Sequence, residues 1–484
     1  MPLHGRHEHR TLFSLRTILI VVVLAVGIVA AFGSRFAALL LYIWFALFRP
    51  QEWVWIDITS LRLSFVLGLL LVVPSLVTGV FPNLTHPLSV GTLAFLASAL
   101  IAQIDAVNPA VGWEWIDFFA RLVLVCLLTV TLTTTRQRFI AVLGVIAGSF
   151  GFHGAKAGLG FLLGGGARFH EGLGGSFTDN NAYALAITSI MPMLFAVAQN
   201  ISHRWTRLAF LAAVPLSVFA VIGLFSRGGL VSLVAGALMF AWLQQRRYTS
   251  LAVVAMAGLL TYAFAPIPQS YFERMETIRT YNEVEEYSAL GRLHYWRVAL
   301  DMTADRPLGV GLKNFESAYD RYDFSNGAFG ERRATHNSYL QVLAETGIQG
   351  LFAYLFTFTY ALILLFRIRR RSRDSTLDNA TRRFFYTVSN GLIASVVAFI
   401  AGSAFISQAI NDLTWLTFAL VAALDRISVA ELEHARIRVA GDAAISSSAR
   451  FTLPLQPGWA RAPIRIGRSD LTRNTNGELK WNVL

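Results

Sequence analysis

Cationic side chains at turns next to apolar runs are the residues best placed to do chemistry in this sequence. Phe225-Ser226-Arg227-Gly228-Gly229 sets a guanidinium between two apolar runs, with small neighbours. A guanidinium grips phosphate through two parallel N–H bonds, and nearby backbone N–H groups extend such an anion site. A plain turn arginine is the other reading. A second segment reads Tyr287-Ser-Ala-Leu-Gly-Arg292-Leu-His-Tyr-Trp296-Arg297. Leu293, Trp296 and Leu300 share one helical face, so 291–305 is expected to be a helix. Arg306-Pro307 stops it. A third segment, Thr335-His336-Asn337-Ser338-Tyr339-Leu340, places a histidine just before a long apolar run, with Glu345-Thr-Gly347 beyond. Imidazole titrates near neutral pH, which suits a general base; a histidine capping a helix start is the alternative. A fourth stretch, 151–181, is glycine-rich and carries His153, Lys156, Arg168, His170, Asp179, Asn180 and Asn181. Glycines permit close backbone approach to a phosphate or sugar, but an ordinary outer loop can have this composition too.

Several chemistries are not indicated. There is no D-x-D for a metal-bound nucleotide sugar, no H-E-x-x-H, no G-x-S-x-G and no G-K-[ST] of a phosphate loop. The single cysteine, Cys126, excludes an internal disulfide and a thiolate metal cluster. No metal and no cofactor is expected.

These residues must be positioned by membrane helices. Of 484 residues, 55% are hydrophobic and 14% charged, against roughly 25% charged in a soluble domain. Mean hydropathy is +0.53. One soluble core stops growing at about 250–300 residues, so a soluble or disordered chain is excluded. Thirteen apolar runs lie near 17–32, 35–49, 62–80, 88–103, 117–134, 139–163, 182–198, 207–225, 228–243, 250–267, 338–366, 384–407 and 411–428. Backbone in lipid must satisfy its own hydrogen bonds, so these runs should be helices and not strands of a barrel. The expectation is an all-α integral membrane protein of about 12 spans.

The net charge is +12, and only Lys156, Lys313 and Lys480 are lysines. Most arginines sit in short loops, where the positive-inside rule accounts for them better than nucleic-acid binding does. The loop Arg367–Arg383 is the most basic and is placed in the cytoplasm, together with 244–250, 199–207 and the Arg136/Arg138 turn. Segment 268–337, with 11 acidic and 9 basic residues, then lies outside. The first 60 residues fit this parity poorly: either 17–32 and 35–49 make one crossing, or the N-terminus is outside. The expected organisation is a cytoplasmic segment 1–16, a membrane bundle 17–267, a periplasmic loop 268–337, membrane helices 338–428 and a basic cytoplasmic tail 429–484. An outward-facing site has no nucleotide sugar at hand. A lipid-linked pyrophosphate sugar brings its own leaving group and an anion that arginines can hold.

In combination and order, S-R-G-G at 226–229, G-R-x-x-x-W from Gly291, D-R-P-L-G-x-G from Asp305 and H-N-S-Y-L from His336, with G-I-Q-G from Gly347, resemble the O-antigen ligase and O-antigen polymerase superfamily. Tyr42-Ile-Trp-Phe-Ala-Leu-Phe-Arg49-Pro50, Gly154-Ala-Lys156-Ala-Gly158 and Gly174-Gly-Ser-Phe-Thr-Asp179-Asn180-Asn181 resemble the narrower branch of O-glycosylation ligases associated with the exosortase A system. The likeness spans roughly residues 35–428. Ala157, and Leu173 within Gly172-Leu173-Gly174, depart from the branch, which more typically reads K-G-G and often has Gly-Pro there. The resemblance implies a C-type glycosyltransferase architecture in the bacterial inner membrane. It implies metal-independent, inverting transfer of a preassembled glycan from undecaprenyl diphosphate to a periplasmic acceptor hydroxyl. The acceptor would be a glycan, a lipid or a protein, and membrane lipid is a further partner. By motif, Arg227 and Arg292 would hold the diphosphate and His336 would orient or deprotonate the hydroxyl. Lys156, Asn181, Arg297 and Tyr339 would contact substrate, although Arg297 reads more simply as a solvated helix face. A polymerase of the same fold, a lipid-linked sugar transporter and a structural membrane subunit are the competing readings.

Overall fold

In the computed structural model, residues 15–53, 62–169, 172–269, 271 and 287–449 are described, with backbone alone at 287–289 and 442–449. The expected N-terminal segment up to residue 14, part of the large loop (272–286) and the tail from 450 lie outside the described residues. The chain divides into two units, Met1–Ala435 and Arg436–Leu484. In the second, residues 436–449 are helical.

The described residues form helices and no β-strand. Ten apolar helices come first: α1 (Leu15–Gly33), α2 (Arg35–Phe48), α3 (Leu63–Val77), α4 (Pro87–Gln103), α5 (Pro109–Leu132), α6 (Arg136–Leu163), α7 (Asn180–Asn200), α8 (Arg204–Gly223), α9 (Arg227–Leu243) and α10 (Arg247–Phe264). Two polar helices follow, α11 (Tyr287–Asp305) and α12 (Phe315–Tyr322). The last three are α13 (Ser338–Arg371), α14 (Asn379–Ser403) and α15 (Asp412–Ala449). Nine of the described helices are long and apolar enough to cross a membrane, which fits an all-α membrane protein. The other four, α2, α3, α4 and α9, run to 14, 15, 17 and 17 residues. Thus the thirteen apolar runs are all helical, but four are shorter than the roughly 20 residues of a straight crossing.

Helix starts follow local chemistry. Asn108, Thr135, Asp179, Ser226, Asn337 and Asp378 each precede a helix, and each side chain accepts a first-turn N–H. Proline opens α4 and α5, where its missing N–H costs nothing.

Helix α7 is the most buried of the apolar helices, packed among α6, α8, α9 and α14. Small residues let these backbones approach. A Cβ on Gly236 of α9 would lie 2.8 Å from the Ala398 Cβ, and one on Gly391 of α14 would lie 2.9 Å from the Pro192 carbonyl oxygen. Ser232 of α9 ties the three helices together, contacting Thr188 Oγ1 at 2.6 Å and donating to the Ala398 carbonyl at 2.8 Å.

The glycine-rich stretch beginning at 151 is not a loop over its first half; α6 runs through it to Leu163. A Cβ on Gly158 would overlap the Leu216 carbonyl, and one on Gly154 would lie 2.7 Å from Ser217 Oγ. Those glycines serve close packing of α6 on α8.

Helices α11 and α12 build a small core of their own from Tyr295, Val298, Met302, Phe315 and Tyr319, closed by Ala344 of α13. The Asp305–Gly311 segment docks where α13 breaks. Gly347 has φ 71° inside that helix. Val310 N donates to the Ala344 carbonyl at 2.9 Å, Gly311 N to the Glu345 carbonyl at 3.1 Å, and Ile348 N to the Pro307 carbonyl at 3.4 Å. Gly347→Ala would bring a Cβ against the Pro307 carbonyl and force a non-glycine residue to positive φ. The expected cost is about 1–3 kcal/mol, seen as a lower unfolding midpoint in detergent. An unchanged midpoint would show that the break tolerates a side chain.

Candidate functional site

Three helix starts and α11 converge on one cavity of about 640 Å³. Asn181 comes from the first turn of α7, Arg227 opens α9, and His336 stands two residues before α13. Arg292 and Tyr295 come from α11, and the 327–330 turn with Arg333 closes the wall.

Local backbone explains the convergence. Phe225 takes φ 51° and Ser226 then caps α9, so the chain turns sharply and presents Arg227 at its first helical position. Ser226 Oγ donates to Asn181 Oδ1 at 2.8 Å and accepts from Gly229 N at 3.0 Å, which joins the starts of α7 and α9. Asn180 Nδ2 donates to the Leu224 carbonyl at 2.9 Å. Asp179 accepts from the N–H groups of Asn181 and Ala182, both at 3.1 Å.

His336 repeats the pattern before α13: it has φ 49°, and Asn337 follows as the cap. A histidine in left-handed backbone is uncommon and is held there by its surroundings. Trp296 Nε1 donates to the Thr335 carbonyl at 3.1 Å, and Thr335 Oγ1 contacts Ser407 Oγ at 2.8 Å. Asn337 Oδ1 accepts from Tyr339 N and Leu340 N at 2.9 and 3.0 Å.

The 327–330 wall is ordered by Asp323. Its carboxylate accepts from Ser325 N at 2.8 Å, Ser325 Oγ at 2.6 Å and Gly327 N at 2.7 Å, and pairs with His294 Nε2 at 2.7 Å. Burial raises the Asp323 pKa, but these bonds outweigh it and hold the carboxyl at about 2. Arg333 Nε donates to the Phe329 carbonyl at 2.8 Å.

The charge of the cavity has one sign. Arg227, Arg292 and Arg333 line it, and no carboxylate is among the described residues that do. The starts of three helices, the positive ends of their dipoles, lie at the same cavity. Burial lowers the His336 pKa below the ordinary histidine value. Arg292 and Arg333 lower it further, against an opposing effect of Asp179. The imidazole is therefore neutral at neutral pH, the state in which it accepts a proton.

Arg227, Arg292, His336 and Asn181 thus share one cavity, whereas Lys156, Arg297 and Tyr339 do not line it. Lys156 stacks over the Trp53 ring at 4.2 Å, beside Phe48, Phe152 and His153. Arg297 is exposed and pairs with Asp301 at 3.3 Å along α11. Tyr339 joins α13 to α14, donating to the Ile400 carbonyl at 2.9 Å and meeting Ser403 Oγ at 3.1 Å. Sequence reasoning missed Arg333 and Tyr295. The available signal for Arg333 was the Arg332-Arg333 pair just before His336 in a loop of balanced charge.

Residues 15–199 match the model of a family described as a family of unknown function (DUF5935). No curated protein matches the chain. Residues 211–355 match the model of a family described as O-antigen ligase. That stretch is thus similar to O-antigen ligases and contains Arg227, Arg292, Arg333 and His336 of the cavity, while the apolar helices support a multi-pass membrane protein.

Proposed function

We propose that this protein is an inner-membrane glycosyltransferase that moves a preassembled glycan from undecaprenyl diphosphate to an acceptor hydroxyl at the periplasmic side. The observation that carries the reading is a histidine beside three arginines in one cavity. A glycosyl diphosphate needs cations where charge develops on its leaving oxygen, and the hydroxyl needs a base on the opposite face of the sugar. Arg227 and Arg292 hold the diphosphate, with Arg333 beside them. His336 takes the hydroxyl proton as the acceptor oxygen bonds to the anomeric carbon. The bond from that carbon to the phosphate oxygen breaks, and undecaprenyl diphosphate leaves with the electron pair. Attack from the face opposite the leaving group inverts the anomeric centre. No step calls on a metal.

The test is transfer by the purified protein in nanodiscs, with undecaprenyl-diphosphate-linked glycan, candidate acceptors and EDTA. Product formation is expected with EDTA present. A product extended by one more repeat unit would make the chain a polymerase. Donor movement across the bilayer without transfer would make it a transporter and overturn the proposal.

The pH profile carries a signed prediction. Because the His336 pKa is depressed, the acidic limb of kcat/KM is expected below the ordinary imidazole value of about 6.5. Arg333→Gln removes a positive charge that lowers this pKa, so the limb should move to higher pH. Asp179→Asn removes a negative charge that raises it, so the limb should move to lower pH. Shifts of the same sign in both variants would mean that His336 is not the group titrating.

A further inference from the structure

His336 lines two cavities. The second, of about 360 Å³, has a different character from the arginine-lined one. Trp115, Lys313, Gln341, Glu345 and Gln408 contribute to its wall. Gln341 and Glu345 are each only 3% exposed. Gln341 Nε2 donates to both Glu345 oxygens, at 3.2 and 3.3 Å, which leaves Gln341 Oε1 buried without a donor. Gln408 Oε1 is buried and without a donor as well. Lys313, at φ 57°, gives its backbone N–H to Glu345, while its ammonium stacks 4.7 Å from the Trp115 ring. Buried acceptors without donors are costly and rare.

What this wall lacks is hydrogen-bond donors from a ligand. A phosphate or carboxylate brings only acceptors and negative charge, and would face Glu345, Glu316 and Asp179. A sugar brings hydroxyl donors for the amide oxygens and the carboxylate, and an apolar ring face for an indole. We infer that this cavity is the acceptor subsite and that it takes a saccharide free of phosphate and carboxylate groups near the reacting hydroxyl. The inference rests on the glycosyl-transfer reading for the word acceptor. Binding of the saccharide rests on the cavity alone. His336 stands between the two cavities, so a hydroxyl entering from the second meets the base with the donor diphosphate on the far side.

The test is saturation-transfer NMR on the full chain in nanodiscs, with maltotetraose, cellotetraose and chitotetraose as neutral probes and their phosphorylated counterparts as anionic ones. At least one neutral probe is expected to bind, and more tightly than its phosphorylated form. Gln341→Ala should weaken that binding about tenfold, the loss of one hydrogen bond of about 1.4 kcal/mol. Trp115→Ala, at the half-buried rim, is the second variant should Gln341→Ala fold poorly, and a comparable loss is expected. In a transfer assay the loss should fall on acceptor KM and not on donor KM. Tighter binding of the phosphorylated probes, no binding of any neutral probe, or wild-type affinity in both variants would overturn the inference. Saccharide binding without transfer would leave the subsite standing and remove the glycosyl-transfer reading. Transfer to anionic acceptors alone would do the reverse.

Discussion

Replacing His336 with alanine is expected to lower kcat for glycan transfer by about 10²–10⁴-fold, the range for loss of a positioned general base. A sugar hydroxyl is a poor nucleophile until its proton is taken, and among the described residues lining the arginine cavity His336 alone carries an imidazole. Alanine also changes the backbone term, since residue 336 has φ 49°. His336→Asn separates the two effects. Asparagine tolerates left-handed backbone better than most residues and has no basic nitrogen. Both variants should lose activity to a similar extent, while the unfolding midpoint of His336→Asn stays near wild type. Full activity in His336→Asn would remove the base from the mechanism and leave the residue as a turn former.

The same residue shows what was legible before the fold. A histidine ahead of a long apolar run, and an arginine at a glycine turn, are local features, and both sit at helix starts set by their own caps, Asn337 and Ser226. Residues at the end of a strongly apolar helix inherit its certainty of placement. Arg333 and the 327–330 turn have no such anchor. They are positioned by Asp323 and by the Phe329 carbonyl, in irregular backbone without periodicity to read. The sequence around Lys156 is ambiguous for a physical reason. Glycine next to a cation has the composition of a phosphate cradle and also that of a close helix contact, and Gly154 and Gly158 turn out to face Ser217 and the Leu216 carbonyl. Only the neighbouring helix distinguishes the two. The D-R-P-L-G-x-G and E-T-G motifs pose the same ambiguity. In the fold they meet each other at the break in α13, so their glycines maintain the dock of α11 on α13 and, through it, the position of Arg292.

Arg292→Lys is expected to lower kcat by about 10²–10³-fold, comparable to removing one preorganised donor from an oxyanion site. Charge is conserved in this variant, so the loss measures geometry. A guanidinium offers a planar fork that matches two phosphate oxygens, whereas an ammonium is a strongly hydrated point charge. Arg292 is half-buried on α11, and its distance from the membrane helices is set by the Val310, Gly311 and Pro307 contacts to α13. The arginine therefore comes from a different body of helices than Arg227, which opens α9. A donor bridging both would hold the two bodies together. Binding of donor should accordingly protect the backbone amides of 305–311 from hydrogen exchange in the wild type and less so in Arg292→Lys. Arg297→Lys supplies the contrast: its side chain is exposed, pairs with Asp301 and does not line the cavity. A large kcat loss in Arg292→Lys with little change in Arg297→Lys places the diphosphate in the arginine cavity. Equal behaviour of the two would mean that the leaving group is stabilised elsewhere, and the assignment of the donor cavity would fall with it.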